Sequence, residues 1–215
     1  MLSGGIDSAT ALYWARSKGY RPYCLLFNYG QRHSKEIHSA RRIAQQIKAE
    51  YKIISLNLPW KGSSLTDLRQ EIPQHKKGSI GKEIPSTYVP ARNTIFLSFG
   101  LSWSEVIDAE AVVIGANALD FSGYPDCRPG YIRLFRKLAR EGTKRGAEGK
   151  NISILAPLIK KSKADIIRLG MKLSVPFALT WSCYKGGRRP CGKCDSCRLR
   201  EKGFREAGVR DPLIE

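Results

Sequence analysis

The sequence lacks any apolar run that approaches the length of a membrane-spanning helix, which takes about 20 residues. No pattern typical of a secretory signal precedes the first recognisable motif, and the chain has neither internal repeats nor low-complexity tracts. These absences argue against a helical membrane protein and against a repeat architecture. We therefore expect a cytoplasmic protein with no membrane association.

Acidic residues are scarce, with 19 aspartates and glutamates against 37 lysines and arginines. The net charge of +18 indicates polyanionic ligands such as ATP, pyrophosphate or nucleic acid, without choosing among them. The basic residues are scattered, with the densest runs at residues 133–145, 160–163 and 185–200, so a solvated basic surface explains most of them equally well. The 215 residues, of which 42% are apolar, suffice for one sizeable core with a small appendage.

A phosphate-binding pattern, L-S-G-G-I-D-S, occupies residues 2–8 directly before a helix-like stretch, and it lacks the Gly-Lys-Ser/Thr ending of a P-loop. Adjacent glycines bring backbone N–H groups onto an anion, Ser3 and Ser8 add hydroxyl donors, and the helix N-terminus adds a favourable dipole. Asp7 would repel a bare phosphate, so its carboxylate predicts a bridging divalent cation such as Mg²⁺. The pattern predicts a nucleotide site, with a plain Gly-Ser turn as the alternative.

Short β-branched or aromatic runs alternate with helical patterns, which predicts an α/β fold built from parallel β-α-β units. Strands are predicted at residues 23–27, 52–56, 111–115 and 153–156, and helices at residues 9–18, 35–49, 93–108, 129–141 and 163–173. Ligands of such folds gather at the carboxyl ends of the strands, where we expect the loops at residues 28–33 and 116–128 to meet the phosphate loop.

Two features of the predicted fold are irregular. A phosphate loop normally follows a buried strand, yet only Met1 and Leu2 precede this one, so we expect the first strand to be absent or truncated. The segment 57–85 is rich in Gly, Ser, Pro and Lys without clear periodicity, which predicts a mobile flap.

Four cysteines, Cys183, Cys191, Cys194 and Cys197, form a C-x7-C-x2-C-x2-C pattern that suits a tetrahedral, structural Zn²⁺ site. An iron–sulfur cluster uses similar spacing and remains the alternative. We predict an α/β domain over residues 1–180 and a zinc-binding segment with a closing helix over residues 181–215. Cys24 lies inside a predicted strand and is expected to be a small core residue.

The segment 123–129 places an acid, a thiol and a guanidinium within three residues. Asp126 could accept hydrogen bonds from a guanine-like edge, and Arg128 could pair with a carboxylate or phosphate, although a Pro-bounded turn explains the spacing equally well. Cys127 is a candidate nucleophile without an identifiable base. Lys163 and Arg92 stand at predicted helix starts, where each could reach a phosphate or serve as a surface residue.

Several runs together resemble the 7-cyano-7-deazaguanine synthase family, which belongs to the ATP-pyrophosphatase (PP-loop) superfamily. The runs are residues 2–8, 28–33 (NYGQRH), 87–93 (TYVPARN), 123–128 (GYPDCR), 179–184 (LTWSCY) and 191–197 (CGKCDSC). The resemblance extends from residue 2 to about residue 212, and the GYPDCR and LTWSCY runs are more specific than the phosphate loop. Asn28 departs from the family pattern, in which an acid is expected.

The resemblance implies a Rossmann-like parallel sheet of the adenine nucleotide alpha hydrolase type, with helices on both faces and a small zinc knuckle. It implies ATP-dependent conversion of 7-carboxy-7-deazaguanine and free ammonia to the nitrile, in a homodimer. Asp7, Arg92 and Lys163 would be catalytic, Gln31, Arg32, Asp126 and Arg128 would bind the deazaguanine, and the four clustered cysteines would hold zinc. ATP with Mg²⁺ would bind the residues Leu2, Ser3, Gly4, Gly5, Ile6, Asp7, Ser8, Ala9, Thr10, Ala11 and Leu12.

Two alternative functions stay open at the level of sequence. The basic charge allows a tRNA-thiolating enzyme of the same superfamily, and the cysteine cluster allows a zinc-knuckle nucleic-acid-binding protein without catalysis. A thiolating enzyme would use cysteine for sulfur transfer, whereas the four clustered cysteines look occupied by a metal. A nucleic-acid-binding protein without catalysis would leave Asp7 unexplained. We therefore do not expect direct nucleic-acid binding, although the net charge of +18 is compatible with it.

Overall fold

The computed structural model describes residues 1–74, 83–118 and 123–214. Strands and helices alternate along the chain as α1 (Ile6–Ser17), β1 (Tyr23–Asn28), α2 (Lys35–Gln46), β2 (Glu50–Ser55), α3 (Arg92–Val106), β3 (Ala111–Val113), α4 (Pro129–Glu141), α5 (Lys144–Ala147), β4 (Ser153–Leu155), α6 (Lys163–Lys172) and α7 (Asp195–Ala207). Single 3-10 turns lie at Pro125–Cys127 and Phe177–Leu179.

The strands of the described residues form two parallel pairs, β1 with β2 and β3 with β4. Residues 1 and 2 lie between the pairs, because the Leu2 amide donates to the Leu25 carbonyl (2.8 Å) and the Met1 amine donates to the Val113 carbonyl (2.9 Å). The spatial order is therefore β2, β1, residues 1–2, β3, β4. The phosphate loop leaves this layer at the point where the strand order reverses, which is where ligands of open α/β sheets bind.

Side chains on both faces of β1 are buried, whereas β2 at the edge of the layer has four exposed residues out of six. On β1, Cys24 and Leu26 pack with α1, α2 and α6, whereas Leu25 and Phe27 point to the opposite side, where Trp181 and the cysteine cluster lie. A second core joins β3 and β4 to α3 and α4. Complete burial of one leucine such as Leu26 contributes about 1.5–3 kcal/mol. The cover on both faces of β1 accounts for the continuous apolar run at residues 24–27.

The α/β class, the parallel pairing and the helices on both faces confirm the sequence prediction, and the helix Pro129–Glu141 has the predicted bounds. The prediction was one sheet, whereas the structure has two separate strand pairs among its described residues. Residues 1–2 lie between them and form only one hydrogen bond to β1 and one to β3, which is too few for a strand that would join the pairs. Among the described residues, no helix is both long and apolar enough to cross a membrane.

The segment 57–85, predicted as a mobile flap, is described at residues 57–74 and 83–85, and residues 75–82 lie outside the described part. Its described residues form turns without helix or strand. Leu65 and Ile72 are nevertheless buried against the cluster that contains Phe27 and Trp181. The first part of the segment is therefore anchored to the core.

Candidate active site

The phosphate loop is shaped by two adjacent glycines. Gly4 has a φ of +84°, and a Cβ on it would collide with the Glu36 carbonyl and lie 2.8 Å from the Ala40 nitrogen. Only glycine therefore combines this turn with the close approach of α2. Gly5 is the N-cap of α1, so the free N–H groups and the positive dipole end of that helix face the loop.

Two hydroxyl groups close the loop on itself. Ser3 Oγ and Ser8 Oγ lie 2.9 Å apart, and the Ser3 amide donates to Ser8 Oγ (3.1 Å). Ser8 also donates to the Gly5 carbonyl (3.2 Å). These contacts hold donor groups of the loop at fixed positions before any anion arrives, which is the preorganisation that phosphate binding requires.

Asp7 and Lys163 form an ion pair at the entrance of the loop. Lys163 Nζ lies 2.6 Å and 2.7 Å from the two Asp7 carboxylate oxygens, and the side chains are only 9% and 17% exposed. Lys163 is the first residue of α6, whose start is fixed by a capping box between Ser162 and Asp165. The pairing joins two predicted catalytic residues that are 156 positions apart in sequence.

A cavity of about 230 Å³ opens beside this pair. Its walls come from the loop (Leu2, Ser3, Gly5, Ile6, Asp7, Ser8), the strand ends (Tyr29, Gln31, Gly115, Ala116, Asn117), the helix starts (Glu36, Arg92, Asn93, Lys163) and two later segments (Tyr124, Cys127, Trp181, Ser182, Tyr184). The phosphate loop and the loops after β1 and β3 therefore meet at one edge of the strand layer, as predicted. The remaining predicted ATP residues, Ala9, Thr10, Ala11 and Leu12, are buried within α1.

Arg92 is the third predicted catalytic residue and lines the same cavity. Its guanidinium lies 5.8 Å from the ring centres of Tyr29 and Phe96, and Nη1 donates to the Tyr29 hydroxyl (3.4 Å). Its Nε is buried and has no hydrogen-bond partner among the described residues. A buried donor of this kind is well suited to an anionic ligand group.

Three tyrosines surround this arginine. Thr87 Oγ1 lies 2.7 Å from the Tyr124 hydroxyl, and Tyr124 in turn pairs with Tyr184. Burial raises the pKa of Tyr29, Tyr124 and Tyr184 above the ordinary value. The three phenols are therefore neutral at physiological pH and can donate hydrogen bonds to a ligand.

Of the residues predicted to bind substrate, some line the cavity and others lie outside its wall. Gln31 lines the cavity, and it braces its own loop through the Tyr29 amide (2.9 Å) and the Phe27 carbonyl (3.2 Å). Arg32 is absent from the cavity wall and donates instead to the carbonyls of Ser64 (2.6 Å), Asp67 (3.0 Å) and Gln70. The structure therefore places Arg32 where it holds the segment after β2, away from the cavity.

Asp126 and Arg128 lie outside the cavity wall as well. Asp126 is buried and accepts a hydrogen bond from the Asn93 amide (3.0 Å), so its carboxylate caps the start of α3. Arg128 is exposed at the N-cap of α4. Cys127 does line the cavity, but burial and the Asp126 charge raise the pKa of its thiol to about 12, which leaves it a poor nucleophile.

The cysteine cluster brings four sulfur atoms close together. The sulfur atoms of Cys183, Cys191, Cys194 and Cys197 all lie within 4.8 Å of one another, and the Cys191–Cys197 separation is 3.9 Å. A tetrahedral ion with zinc–sulfur bonds of about 2.3 Å separates its ligands by about 3.8 Å. Amides of Cys191 and Cys194 point at the sulfurs of Cys183 and Cys191 (both 3.4 Å), which stabilises thiolates. The donor set fits one metal ion.

The cluster is connected to the phosphate loop through the residues just before it. The Trp181 amide donates to the Gly4 carbonyl (2.9 Å), and the Trp181 indole donates to the Cys183 carbonyl (2.8 Å). On α7, Arg200 binds Asp211 through two bonds (2.6 and 2.7 Å) and Thr180 Oγ1 (2.8 Å). The Trp181 contacts and the Arg200 contacts together hold the carboxyl-terminal segment against the phosphate loop.

Sequence reasoning assigned no role to Tyr29, Tyr124, Tyr184, Trp181 or Glu36. All five line the cavity, and all five lie in or within three residues of the runs NYGQRH, GYPDCR and LTWSCY. The runs themselves were the available signal, because aromatic residues clustered at three loop edges are typical of a ligand pocket.

Comparisons with known proteins agree along the whole chain. The family described as "Queuosine biosynthesis protein QueC" matches residues 1–208. A curated 7-cyano-7-deazaguanine synthase from Trichodesmium erythraeum is 51% identical over 217 residues, covering 100% of this chain and 98% of the relative. A 7-cyano-7-deazaguanine synthase from Trichormus variabilis is 52% identical over 216 residues, covering 99% of this chain and 95% of the relative.

Among solved structures, the NMN synthetase from Francisella tularensis is similar with a TM-score of 0.50 at 15% sequence identity. The match covers 97% of this chain and 76% of that chain. At this identity the likeness shows a common fold and says nothing about substrates.

Proposed function

Because the chain belongs to the family of the queuosine biosynthesis protein QueC, we propose that it is an ATP-dependent ligase that makes 7-cyano-7-deazaguanine from 7-carboxy-7-deazaguanine and ammonia. The observation that carries this proposal is the near-complete, 51–52% identical match to synthases of that name. The same match favours this activity over tRNA thiolation and over nucleic-acid binding without catalysis.

The chemistry requires two activations by ATP. A carboxylate is a poor electrophile, so its oxygen first attacks the α-phosphorus of ATP, giving an acyl-adenylate and pyrophosphate. Ammonia displaces AMP to give the amide. The amide oxygen then attacks a second ATP and releases pyrophosphate, and loss of both N–H protons and of AMP from this adduct gives the nitrile. Each step depends on positioning and charge stabilisation, and none needs a covalent enzyme intermediate, in keeping with the unreactive Cys127 thiol.

The loop residues Ser3, Gly4, Gly5 and Ser8 are suited to hold the pyrophosphate portion of ATP, since they present amides and hydroxyls at the start of α1. Asp7 offers the hard oxygen ligands that Mg²⁺ prefers, and a bound Mg²⁺ would neutralise charge on the phosphates. With a cation held by Asp7, Lys163 would be free to pair with a phosphate oxygen. The ion pair is thus the resting arrangement of two groups that both serve ATP.

The deazaguanine acid is best placed against Arg92 and the tyrosines. The unpartnered Arg92 Nε can pair with the substrate carboxylate, and the neutral phenols of Tyr29 and Tyr184 can donate to the ring. Of the four residues predicted to bind substrate, Gln31 keeps that role in our proposal. Arg32 and Asp126 bind backbone groups beside the site and Arg128 is exposed at the N-cap of α4, so our proposal does not place these three residues on the substrate.

The cysteine cluster holds a structural Zn²⁺ in our proposal. All four ligands are thiolates, which leaves no open position for catalysis, and their close spacing favours one ion over a four-iron cluster, whose thiolates bind different irons. The ion would form the core of the segment 181–215 that closes on the domain 1–180. Cysteines that hold a metal ion and form no disulfide fit a reducing cytoplasm.

A homodimer is the assembly we propose. Large apolar side chains are exposed on two helices, with Val106 of α3 at 79% and Leu134 and Leu138 of α4 at 65% and 51%. Apolar surface of this kind is typical of subunit interfaces. Sedimentation equilibrium of the purified chain tests this, with a monomer mass counting against it.

Mass spectrometry of the reaction tests the activity. Purified protein is incubated with ATP, Mg²⁺, ammonium and 7-carboxy-7-deazaguanine, and AMP and nitrile are measured. We expect both products from the wild-type chain and neither from Asp7→Ala, with the exposed Asp108→Ala as a matched control that keeps activity. AMP without nitrile would retain the adenylating site but reject this acceptor.

A further inference from the structure

Glu36 is a carboxylate in the cavity to which the reaction scheme gives no role. It lies in the first turn of α2, and its backbone carbonyl packs against Gly4 of the phosphate loop. Its side chain lines the same cavity as Asp7 and Arg92. Within the described residues, no hydrogen bond or ion pair engages its carboxylate, in contrast to the buried carboxylates of Asp126 and Asp211.

The groups that face Glu36 come from three separate elements. Arg92 at the start of α3, Tyr29 after β1 and Tyr184 in the carboxyl-terminal segment all interact electrostatically with it. Desolvation in this surrounding raises the pKa of Glu36 to about 7, and the positive charge of Arg92 opposes the rise. The carboxyl group therefore exchanges protons near neutral pH, where a general base is most effective.

The reaction scheme needs such a group at its nitrogen atom. Ammonium predominates over ammonia at neutral pH, and it has no lone pair with which to attack the acyl-adenylate. The final step must also remove the last N–H proton from the adenylated amide. Asp7 is paired with Lys163 and serves the phosphates, so it does not meet this need.

We propose that Glu36 is the proton acceptor for the substrate nitrogen, an inference that rests on the function proposed above. In the first half-reaction its carboxylate takes one proton from ammonium, and the freed lone pair forms the C–N bond as the C–O bond to AMP breaks. The remaining excess proton leaves the adduct to solvent. In the second half-reaction one N–H proton of the adenylated amide leaves to solvent, and Glu36 takes the other, whose electron pair becomes the third C–N bond as AMP departs with the C–O pair.

The test compares Glu36→Gln with wild type in two assays. Adenylation of the acid involves no nitrogen, so exchange of labelled pyrophosphate into ATP in the presence of the acid should stay within about twofold of wild type. Nitrile formation should fall about 10²- to 10⁴-fold, the usual contribution of general base catalysis. The wild-type rate should rise with pH through about 7, where the carboxylate forms, and then level off, whereas the rate of the variant should follow the fraction of free ammonia and keep rising above that pH.

Hydroxylamine should restore attack on the acyl-adenylate in the variant. It is largely unprotonated at neutral pH and therefore needs no base to free its lone pair. It should capture the acyl-adenylate as the hydroxamate at similar rates in both proteins. The exposed Glu201→Gln on α7 is the matched control and should behave as wild type throughout.

Equal nitrile rates in wild type and Glu36→Gln would overturn the inference, as would a hydroxamate rate that falls with the nitrile rate. Loss of pyrophosphate exchange in the variant would also overturn it, since Glu36 would then serve the structure of the loop. Failure of the wild-type chain itself to form nitrile would reject the proposed function instead.

Discussion

The ion pair between Asp7 and Lys163 allows stability and activity to be separated in one set of variants. The two side chains are 17% and 9% exposed, so each charge is largely removed from water and stabilised by its partner. Loss of one partner from a buried pair costs about 3–5 kcal/mol, and the residual exposure of Asp7 places this pair near the lower end. We expect Lys163→Met, which keeps the stem that packs on Gly203, to lower the free energy of unfolding by about 3 kcal/mol.

The double variant Asp7→Asn, Lys163→Met removes both charges while keeping the volumes. Since neither charge is then left unpaired, its free energy of unfolding should return to within about 1 kcal/mol of wild type. Its ATP turnover should remain as low as in the single variants, because both groups are proposed to contact ATP or its cation. Urea unfolding followed by tryptophan fluorescence measures the first quantity, and AMP release measures the second. A double variant that stays as unstable as Lys163→Met would refute this account of the pair.

Three further predictions follow from other contacts. Cys194→Ser should release the bound metal, counted by elemental mass spectrometry, and should weaken ATP binding through the Trp181 contact with the loop; a variant that keeps one equivalent of metal would contradict the four-thiolate site. Gly4→Ala should abolish nucleotide binding in calorimetry, because a Cβ there would collide with α2, whereas Gly19→Ala, at an exposed position with a similar φ of +85° and no neighbour within 4 Å, should retain it. Below pH 9, Cys127 should resist alkylation by iodoacetamide in the folded chain, since its thiol pKa is raised to about 12, and Cys127→Ala should retain catalysis; rapid labelling would show a thiolate that the structure does not support.

Short sequence patterns predicted those parts of the candidate site that a single segment forms by itself. The loop at residues 2–8 and the cysteine spacing at 183–197 each place their groups through turns of a few residues, so spacing alone predicts their assembly. Lys163 was recognised because a helix start positions a cation, although its partner Asp7 could not be predicted across 156 positions.

The substrate residues were harder to predict because a sequence does not show which way a side chain points. Asp126 and Arg32 stand in the most distinctive runs, yet the carboxylate caps α3 and the guanidinium binds carbonyl groups of the segment after β2. Both uses satisfy backbone groups that the fold would otherwise leave unpaired. Tyr29, Tyr184 and Glu36 reach the cavity only once three distant segments have packed together.

Oxygen labelling tests the central claim most directly. The acid is prepared with ¹⁸O in both carboxylate positions and converted with ATP, Mg²⁺ and ammonium, and the AMP is analysed by mass spectrometry. Two successive adenylations require two AMP per nitrile, each carrying one ¹⁸O, because each carboxylate oxygen leaves bound to an α-phosphorus. Unlabelled AMP, or one AMP per nitrile, would contradict the account.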